Sequence, residues 1–549
     1  MTLSGTILNA VSGRSFRKGW RIFVIFFFLV FVIIPTIYVL SYVFTGWGDI
    51  QENVLNNKEI MDLIVNAILV SFQIATIVTI VDFIVGLPMA WLMVRKKFRG
   101  KKYLDTIIDM PLAVPTAALG FSSAIFWAVT PESVGAPWFA LGTITSPMLL
   151  IILLHIVFSY PYMVRSLSAI LETIDENYEI AGQTLGASKL TAVRTITLPL
   201  FRAGLVTGII LCFARSLSET GGTMIALSTM VGAEGFYTGP TLIGTWKAMS
   251  ETHPELVPAL AFVSILLIVL ALILLVVLKL VIMKVRIPFR RVWPSPEKLF
   301  SRGVVPRIKD TGAILFLIIF VLIPSFFIFS YILTSSPQTG DWSLFLESLG
   351  YSFIVAGIVT VIDIVLGVPL ALYIARNGKG KLSNALDVLV NVPLIVPTAA
   401  LGFSLGLFWS DQGAIPAIPF LLIVFAHVAF TYPLVVRNVA GAVEEIDVSY
   451  EETARTLGAR PLQAFRKVLY PLIKSSILAG SIMAFTRSLG ETGATLAVVS
   501  NAKTVPVYIV NLVKEGSFYQ AAMACIVLIM ISYLAMLLLR YATGKRRSA

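Results

Sequence analysis

Apolar runs of about 20 residues, long enough to cross a hydrocarbon core of roughly 30 Å, recur along the whole chain and are separated by short polar segments. The pattern predicts six spans at residues 22–44, 62–94, 103–129, 147–165, 203–230 and 256–283. Six more follow at 312–334, 347–376, 384–409, 417–437, 475–500 and 518–540. Because span follows span, the first is not read as a cleavable signal. Of the 549 residues, 57% are hydrophobic and 13% charged, and the mean hydropathy is +0.89. A soluble domain carries roughly 25% charged residues, so lipid is the expected solvent and the expected fold class is an all-α polytopic membrane protein.

The chain repeats itself. TLGASKLTAVRTITLPL (residues 184–200) returns as TLGARPLQAFRKVLYPL (residues 456–472), 272 positions later. At the same offset His155, Tyr160 and Pro161 pair with His427, Tyr432 and Pro433. Phe213, Arg215, Glu219, Thr220 and Gly221 likewise pair with Phe485, Arg487, Glu491, Thr492 and Gly493. Upstream the offset becomes 282, pairing Pro111, Pro115, Thr116, Gly120 and Phe121 with Pro393, Pro397, Thr398, Gly402 and Phe403. Further up it is 281, for Asp82, Gly86 and Pro88 with Asp363, Gly367 and Pro369. The length changes fall in loops. Two tandem six-helix units follow, 1–283 and 312–549, joined by a cytoplasmic linker at 284–311 that holds Arg290, Arg291, Pro294, Pro296 and Pro306. An even number of spans per unit inserts both units in one orientation, with a pseudo-two-fold axis along the membrane normal and the natural pathway at their interface.

The formal charge of +12 raises nucleic acid as a partner, but its placement answers to the bilayer. Basic residues crowd the N-terminus (Arg14, Arg17, Lys18, Arg21), residues 95–102, the central connection and the tail 540–547, while residues 129–147 and 335–346 hold none. Positive charge on alternate loops places both termini and the linker in the cytoplasm, and nucleic-acid binding is the weaker reading. Cys212 and Cys525 lie in apolar spans at non-equivalent positions and read as small buried hydrophobes, not a disulfide.

Between the fourth and fifth spans of each unit lies a patterned cytoplasmic loop. Acids open it, Asp175, Glu176 and Glu179 in one copy and Glu444, Glu445, Asp447, Glu451 and Glu452 in the other, as suits the positive end of a helix dipole. Gly186 and Gly458 suit a helix end. Leu190, Val193 and Ile196, with Leu462, Phe465 and Val468, begin a second short amphipathic helix, and Pro199 and Pro471 mark the turn into the next span. Helix, glycine, helix makes a knob suited to a partner's groove. At these residues the chain resembles the binding-protein-dependent permeases of ABC importers. Their signature is an EAA triplet, a glycine four residues on, and a Leu-Pro or similar pair thirteen residues after that glycine. The second copy gives Glu452, Thr453, Ala454, Gly458 and Tyr470-Pro471; the first gives Ile180, Ala181, Gly182, Gly186 and Leu198-Pro199, with isoleucine in the glutamate's place. The resemblance implies two copies of a separate nucleotide-binding ATPase subunit and, usually, an extracytoplasmic solute-binding protein; because only the second copy carries the glutamate, the two ATPase contacts are expected to be unequal. The chain shows no Walker pattern of its own, which needs glycine, four residues, then Gly-Lys-Ser/Thr; Lys379-Gly380-Lys381 reads as a solvated turn. Neither a resident cofactor nor a metal is expected, and the chain is expected to be a transport subunit and not an enzyme.

Charges also stand inside the predicted fifth span of each unit. FARSLSETGGT (residues 213–223) and FTRSLGETGAT (residues 485–495) set Arg215 with Glu219 and Arg487 with Glu491 four apart, hence on one helix face and able to pair. A charge at that depth costs at least ~2.5 kcal/mol and must face the bundle interior. Such a pair either locks the packing or lines the translocation path, where Arg215 and Arg487 suit an oxyanion and Thr220 and Thr492 offer hydroxyls. The motif resembles the corresponding segments of molybdate, sulfate and phosphate permeases, which implies an inorganic oxyanion. The fused architecture resembles ferric-iron and thiamine permeases, which keeps those solutes as the alternative. A secondary transporter of twelve spans in two parallel halves is the alternative of another class. Pro111 and Pro115-Thr116, with Pro393 and Pro397-Thr398, interrupt the third spans; proline should kink them, either as packing or to turn freed carbonyls toward a cavity. His155 and His427 read as interior hydrogen-bonding residues, not metal ligands.

Overall fold

The computed structural model describes residues 13–130, 142–284, 297–298, 301, 304–335, 342–378, 380–411 and 418–544. Arg290, Arg291, Pro294 and Pro296 of the expected linker, Lys379, and the extreme C-terminal basic residues lie outside them. Lipid offers the backbone no hydrogen-bond partner, so the chain satisfies itself in helices. In the first unit these are α1 (Ser15–Thr45), α2 (Lys58–Arg95), α3 (Lys101–Ala113), α4 (Thr116–Trp127), α5 (Pro147–Thr173), α6 (Asn177–Thr184) and α7 (Lys189–Ala192). They are followed by α8 (Arg202–Ser218), α9 (Gly221–Thr229), α10 (Gly239–Met249) and α11 (Pro254–Val277). The second unit comprises α12 (Val305–Thr334), α13 (Trp342–Arg376), α14 (Lys381–Ile395), α15 (Thr398–Asp411) and α16 (Pro419–Glu444). It continues through α17 (Ser449–Thr456), α18 (Pro461–Leu489), α19 (Gly493–Val498), α20 (Val505–Lys514) and α21 (Phe518–Gly544).

The two units interlock through their first helices. Pro35 and Pro324 lack an N–H, and each follows a widened turn, Phe28–Ile33 and Leu317–Leu322, that absorbs the lost bond. One turn on, a serine of the other unit enters the helix ladder. Ser404 Oγ accepts from the Val39 N–H at 2.8 Å and donates to the Pro35 carbonyl at 2.7 Å. Ser122 Oγ does the same for Ile328 N–H (3.0 Å) and the Pro324 carbonyl (2.6 Å). Around these stitches Phe28 stacks on Tyr432 at 5.7 Å and Phe316 packs on Tyr160 at 5.6 Å. Within each unit a buried carboxylate ties the second span to the fourth, α2 to α5 and α13 to α16. Asp82 of α2 takes the Ser159 hydroxyl of α5, and Asp363 of α13 takes Thr431 Oγ1 of α16 at 2.6 Å.

Among the described residues nine helices are long and apolar enough to span a membrane, or eleven if each bent pair counts as one span, which is consistent with two tandem six-helix units. Four expectations need correction. The expected span 203–230 is not one continuous helix: α8 ends at Ser218, Glu219 is extended at ψ 127°, and α9 is a separate buried helix. The expected span 475–500 breaks likewise after Leu489. The third spans do more than kink, for α3 turns on α4 by 99° and α14 on α15 by 108° at Pro115-Thr116 and Pro397-Thr398. The expected outer loops after the fifth spans hold α10 and α20, whose first N–H groups are fixed by neighbours: Ser71 accepts from Gly239 N–H and Ser352 from Val505 N–H, both at 2.8 Å. Finally Pro471 does not turn the chain. The widened turn Phe465–Leu469 absorbs its missing N–H, and α18 runs through as one helix.

Candidate functional site: two knobs and a glycine-threonine seam

Each knob begins with an acid that caps its own helix start. Asp175 Oδ1 accepts from the Asn177 N–H and Asp447 Oδ1 from the Ser449 N–H, both at 2.9 Å. The Ser449 bond holds the Asp447 carboxyl below the usual carboxylate range. The knob helices α6 and α17 end where Gly186 and Gly458 take φ of +95° and +87°, a conformation glycine adopts without Cβ strain. Gly182 packs closely under the second short helix, where a Cβ would lie 2.7 Å from Ile196 Cδ1 and displace that side-chain end; its counterpart Ala454 is half-buried.

Two of the expected docking acids turn inward. Arg95 Nε donates to Glu179 Oε1 at 3.1 Å, Thr197 Oγ1 donates to the same oxygen at 2.9 Å, and Arg95 Nη2 reaches the Ile174 carbonyl. The Arg95 and Glu179 side chains are 8% and 7% exposed, so Glu179 pins the knob to the end of α2 and faces no partner. Arg376 Nε donates to Glu451 Oε1 at 2.8 Å and Arg376 Nη1 to the Ile446 carbonyl at 2.9 Å, which repeats the clamp in the second unit. What faces outward is different: Ala181 and Glu452 are exposed, with Tyr178 and Ile180 on one knob and Tyr450 on the other. At the knob tips Leu185 is 89% and Leu457 84% exposed. Pro199 and Pro471 are half-buried at the knob bases.

The second centre is the seam where the units meet. Arg215 Nη1 pairs with Glu219 Oε2 at 2.6 Å and Arg487 Nη1 with Glu491 Oε2 at 2.5 Å. The pairing is as expected, but the glutamates stand past the helix ends and their second oxygens cap the next helices. Glu219 Oε1 accepts from Gly222 N–H and Glu491 Oε1 from Ala494 N–H, both at 3.0 Å. Each arginine also lies over a ring, Phe158 or Phe430, at 5.3 Å. Both glutamates are 3% exposed, while Arg215 and Arg487 remain 16% and 30% exposed. The capping turns of the two units touch. A Cβ on Gly221 would sit 2.3 Å from Thr492 Cβ, and one on Gly493 2.6 Å from Thr220 Cβ. Thr398 Oγ1 donates to the Ser218 carbonyl at 3.3 Å, and a Cβ on Gly490 would lie 3.2 Å from Pro115 Cβ. Thr220, Thr492, Pro115 and Thr398 therefore meet at the seam; Thr116 and Pro397 stand beside them at the breaks.

His155 and His427 connect the knob-bearing helices to this seam. His155 bridges Ser216 Oγ (2.8 Å) and Thr223 Oγ1 (2.9 Å), on either side of the Glu219 break. His427 bridges Ser488 and Thr495 at the same distances. Both are hydrogen-bonded interior residues.

A chain of membrane helices that carries two copies of one knob and closes a seam between its halves is a multi-pass membrane transport subunit. Residues 82–287 and 367–547 both match the family described as binding-protein-dependent transport system inner membrane component. The chain belongs to that family, twice over. It is similar to the molybdate/tungstate transport system permease protein WtpB of Pyrococcus furiosus, 31% identical over 43% of this chain and 94% of the relative. It is also similar to the molybdenum transport system permease protein ModB of Escherichia coli, 34% identical over 30% of this chain and 73% of the relative. The sulfate transport system permease protein CysT of the same organism is 30% identical over 39% of this chain and 77% of its own length. Each relative thus corresponds to less than half of this chain.

Sequence reasoning missed the Arg95 and Arg376 clamps and the tip leucines. The signal was present, since Arg95 and Arg376 stand at the 281-residue offset and Leu185 and Leu457 precede the two knob glycines.

Proposed function

We propose that the chain is the translocation subunit of an ATP-driven importer for a small inorganic oxyanion of the molybdate, tungstate or sulfate kind. The single observation that carries this is the pair of equivalent knobs on a chain whose relatives are named for those anions. ATP hydrolysis falls to separate subunits, two copies of which dock on the two knobs, while a solute-binding protein delivers the anion on the other side. Both termini and the linker 284–311 lie in the cytoplasm of a cell membrane, with units 1–283 and 312–549 on either side of it. Docking uses Ala181, Gly182, Gly186 and Pro199 of the first knob and Glu452, Ala454, Gly458 and Pro471 of the second, together with Leu185 and Leu457. Glu179 and Glu451 act from beneath.

The mechanism follows from the contacts. Approach of the ATPase subunits moves the knobs, and the Arg95–Glu179 and Arg376–Glu451 clamps carry that motion into α2 and α13. α5 and α16, tied to α2 and α13 through Asp82 and Asp363, carry His155 and His427. These histidines grip both sides of the Glu219 and Glu491 breaks, so the seam opens and closes with the knobs. Arg215 and Arg487, each with donors beyond its glutamate and a partly open face, offer guanidinium groups to a passing oxyanion. Arg215→Ala or Arg487→Ala is expected to depress oxyanion uptake while ATPase copurification stays at the wild-type level. Normal uptake by both variants would remove these residues from the pathway.

A further inference from the structure

The helices α10 and α20 are 11 and 10 residues long, about 15–17 Å each at 1.5 Å per residue. That is half of a hydrocarbon core of roughly 30 Å, yet Leu242, Ile243 and Trp246 of α10 and Ile509, Val510 and Val513 of α20 are buried. The opposite unit does much of the burying, for α10 packs on α15 and α19, and α20 on α4 and α9. Within its own unit α10 reaches the seam. A Cβ on Gly244 would lie 2.9 Å from Met224 Sδ of α9 and 4.0 Å from Thr220 Cγ2, and Thr220 is the residue that meets Gly493 across the seam. Just past α10 the two units touch again, where the Ser500 hydroxyl donates to the Glu251 carboxylate. Both short helices therefore lie between the halves, against the helices that start at the seam.

Each short helix starts on a serine of a long one. The first N–H groups of a helix have no partner within it. Gly239 N–H donates to Ser71 Oγ of α2 and Val505 N–H to Ser352 Oγ of α13, both at 2.8 Å, and both serines are buried. Ser71 donates its own hydrogen to the Ala67 carbonyl at 2.9 Å, which leaves its oxygen facing α10 as an acceptor. Ser71 and Ser352 stand at the same 281-residue offset as the clamp residues Arg95 and Arg376. In both units 24 residues separate the serine from the arginine, about 36 Å of helix, enough to cross the hydrocarbon core. One long helix thus carries the knob clamp at one end and, a membrane's thickness away, the start of a helix that abuts the seam.

We infer that α10 and α20 complete the closure of the seam on the side away from the knobs, and that Ser71 and Ser352 are positioning residues that make this closure follow the knobs. Movement of the first knob enters α2 through the Arg95–Glu179 clamp and leaves it at the Gly239 end of α10. The second knob drives α20 in the same way, through Arg376–Glu451 and Ser352. Because each short helix leans on the opposite unit, a shift of either long helix loosens the contact between both halves. This inference rests on the ATP-driven import proposed above.

Glu251→Cys and Ser500→Cys, placed together in the full chain assembled with its ATPase and solute-binding proteins in proteoliposomes, test the closure. The native Cys212 and Cys525 are buried and stay in place. Bridging the new pair with a short bis-methanethiosulfonate should stop ATP-driven molybdate uptake, and dithiothreitol should restore it. Uptake by the bridged protein equal to that of the same protein unbridged would overturn the closure. The yield of the bridge then reads the tether. Trapping the ATPase subunits with ATP and vanadate should lower that yield about fivefold or more. Adding Ser71→Ala and Ser352→Ala should abolish this response while ATPase copurification stays at the wild-type level. An undiminished response with both alanines present would overturn the tether, and each single alanine variant carries the same test where the double variant does not assemble. A yield indifferent to ATP and vanadate with both serines in place overturns the inference alone if uptake still requires ATP. The same indifference with uptake that needs no ATP would remove the importer reading itself.

Discussion

Gly221→Ala is the substitution that reads the seam most cleanly. The added Cβ would lie 2.3 Å from Thr492 Cβ and 2.5 Å from its Oγ1, against a normal carbon–carbon separation of about 3.5–4.0 Å. Thr492 Cβ is fixed to its backbone and no rotamer moves it, so the two units must separate locally by about 1.5 Å. Overpacking of this kind costs roughly 1–3 kcal/mol, which shifts a closed-to-open equilibrium by about 5- to 150-fold. The expected consequence is leak: vesicles preloaded with molybdate and carrying the assembled transporter should lose it without ATP, faster than wild type by a factor in that range. Thr492→Gly in the same chain removes the obstructing atoms and should restore tightness. Gly493→Ala, which meets Thr220 Cβ at 2.6 Å, should behave alike and be relieved by Thr220→Gly. Wild-type tightness in Gly221→Ala, or leak that Thr492→Gly does not relieve, would refute the claim that the seam seals the pathway.

Leu185→Asp and Leu457→Asp change residues that touch almost nothing, so thermal unfolding should move by no more than about 0.5 kcal/mol, while copurification with the ATPase subunit should fall for each knob changed. Glu179→Ala strands Arg95 in a pair whose members are 8% and 7% exposed; the loss should approach about 3 kcal/mol, read as a lower unfolding midpoint, and Glu451→Ala should cost less because its pair is 18% and 25% exposed. His155→Leu leaves Ser216 and Thr223 without their shared partner, worth about 1–3 kcal/mol, and should uncouple ATP hydrolysis from uptake without preventing assembly.

The doubled architecture was legible because the repeat keeps its residues at fixed offsets, and the knobs because Gly186 and Gly458 stand where the helices must end. The breaks at Glu219 and Glu491 were hidden by their own spacing. Arg and Glu four apart fit one helix face, yet the helix stops because the carboxylate caps the N–H three residues ahead, a choice made by the neighbouring unit's close approach at Gly221 and Gly493. The inward turn of Glu179 was hidden for a related reason. An acid in a first helical turn satisfies the dipole whichever way it faces, and only the position of Arg95, 84 residues earlier in sequence, decides the direction. The helix α10 left a local trace in Thr238-Gly239-Pro240-Thr241, a hydroxyl cap followed by proline, inside a segment too short and too polar to register as a span.

In the proposed function, two knobs on one chain convert ATP hydrolysis elsewhere into oxyanion movement through the seam. The direct measurement is uptake of radiolabelled molybdate or sulfate by proteoliposomes holding this chain, its ATPase subunit and its solute-binding protein. Uptake should require ATP and all three proteins, and should be abolished when Gly186→Pro and Gly458→Pro remove both knobs' helix ends. Uptake by the chain alone, driven by an imposed ion gradient and indifferent to those substitutions, would contradict the account.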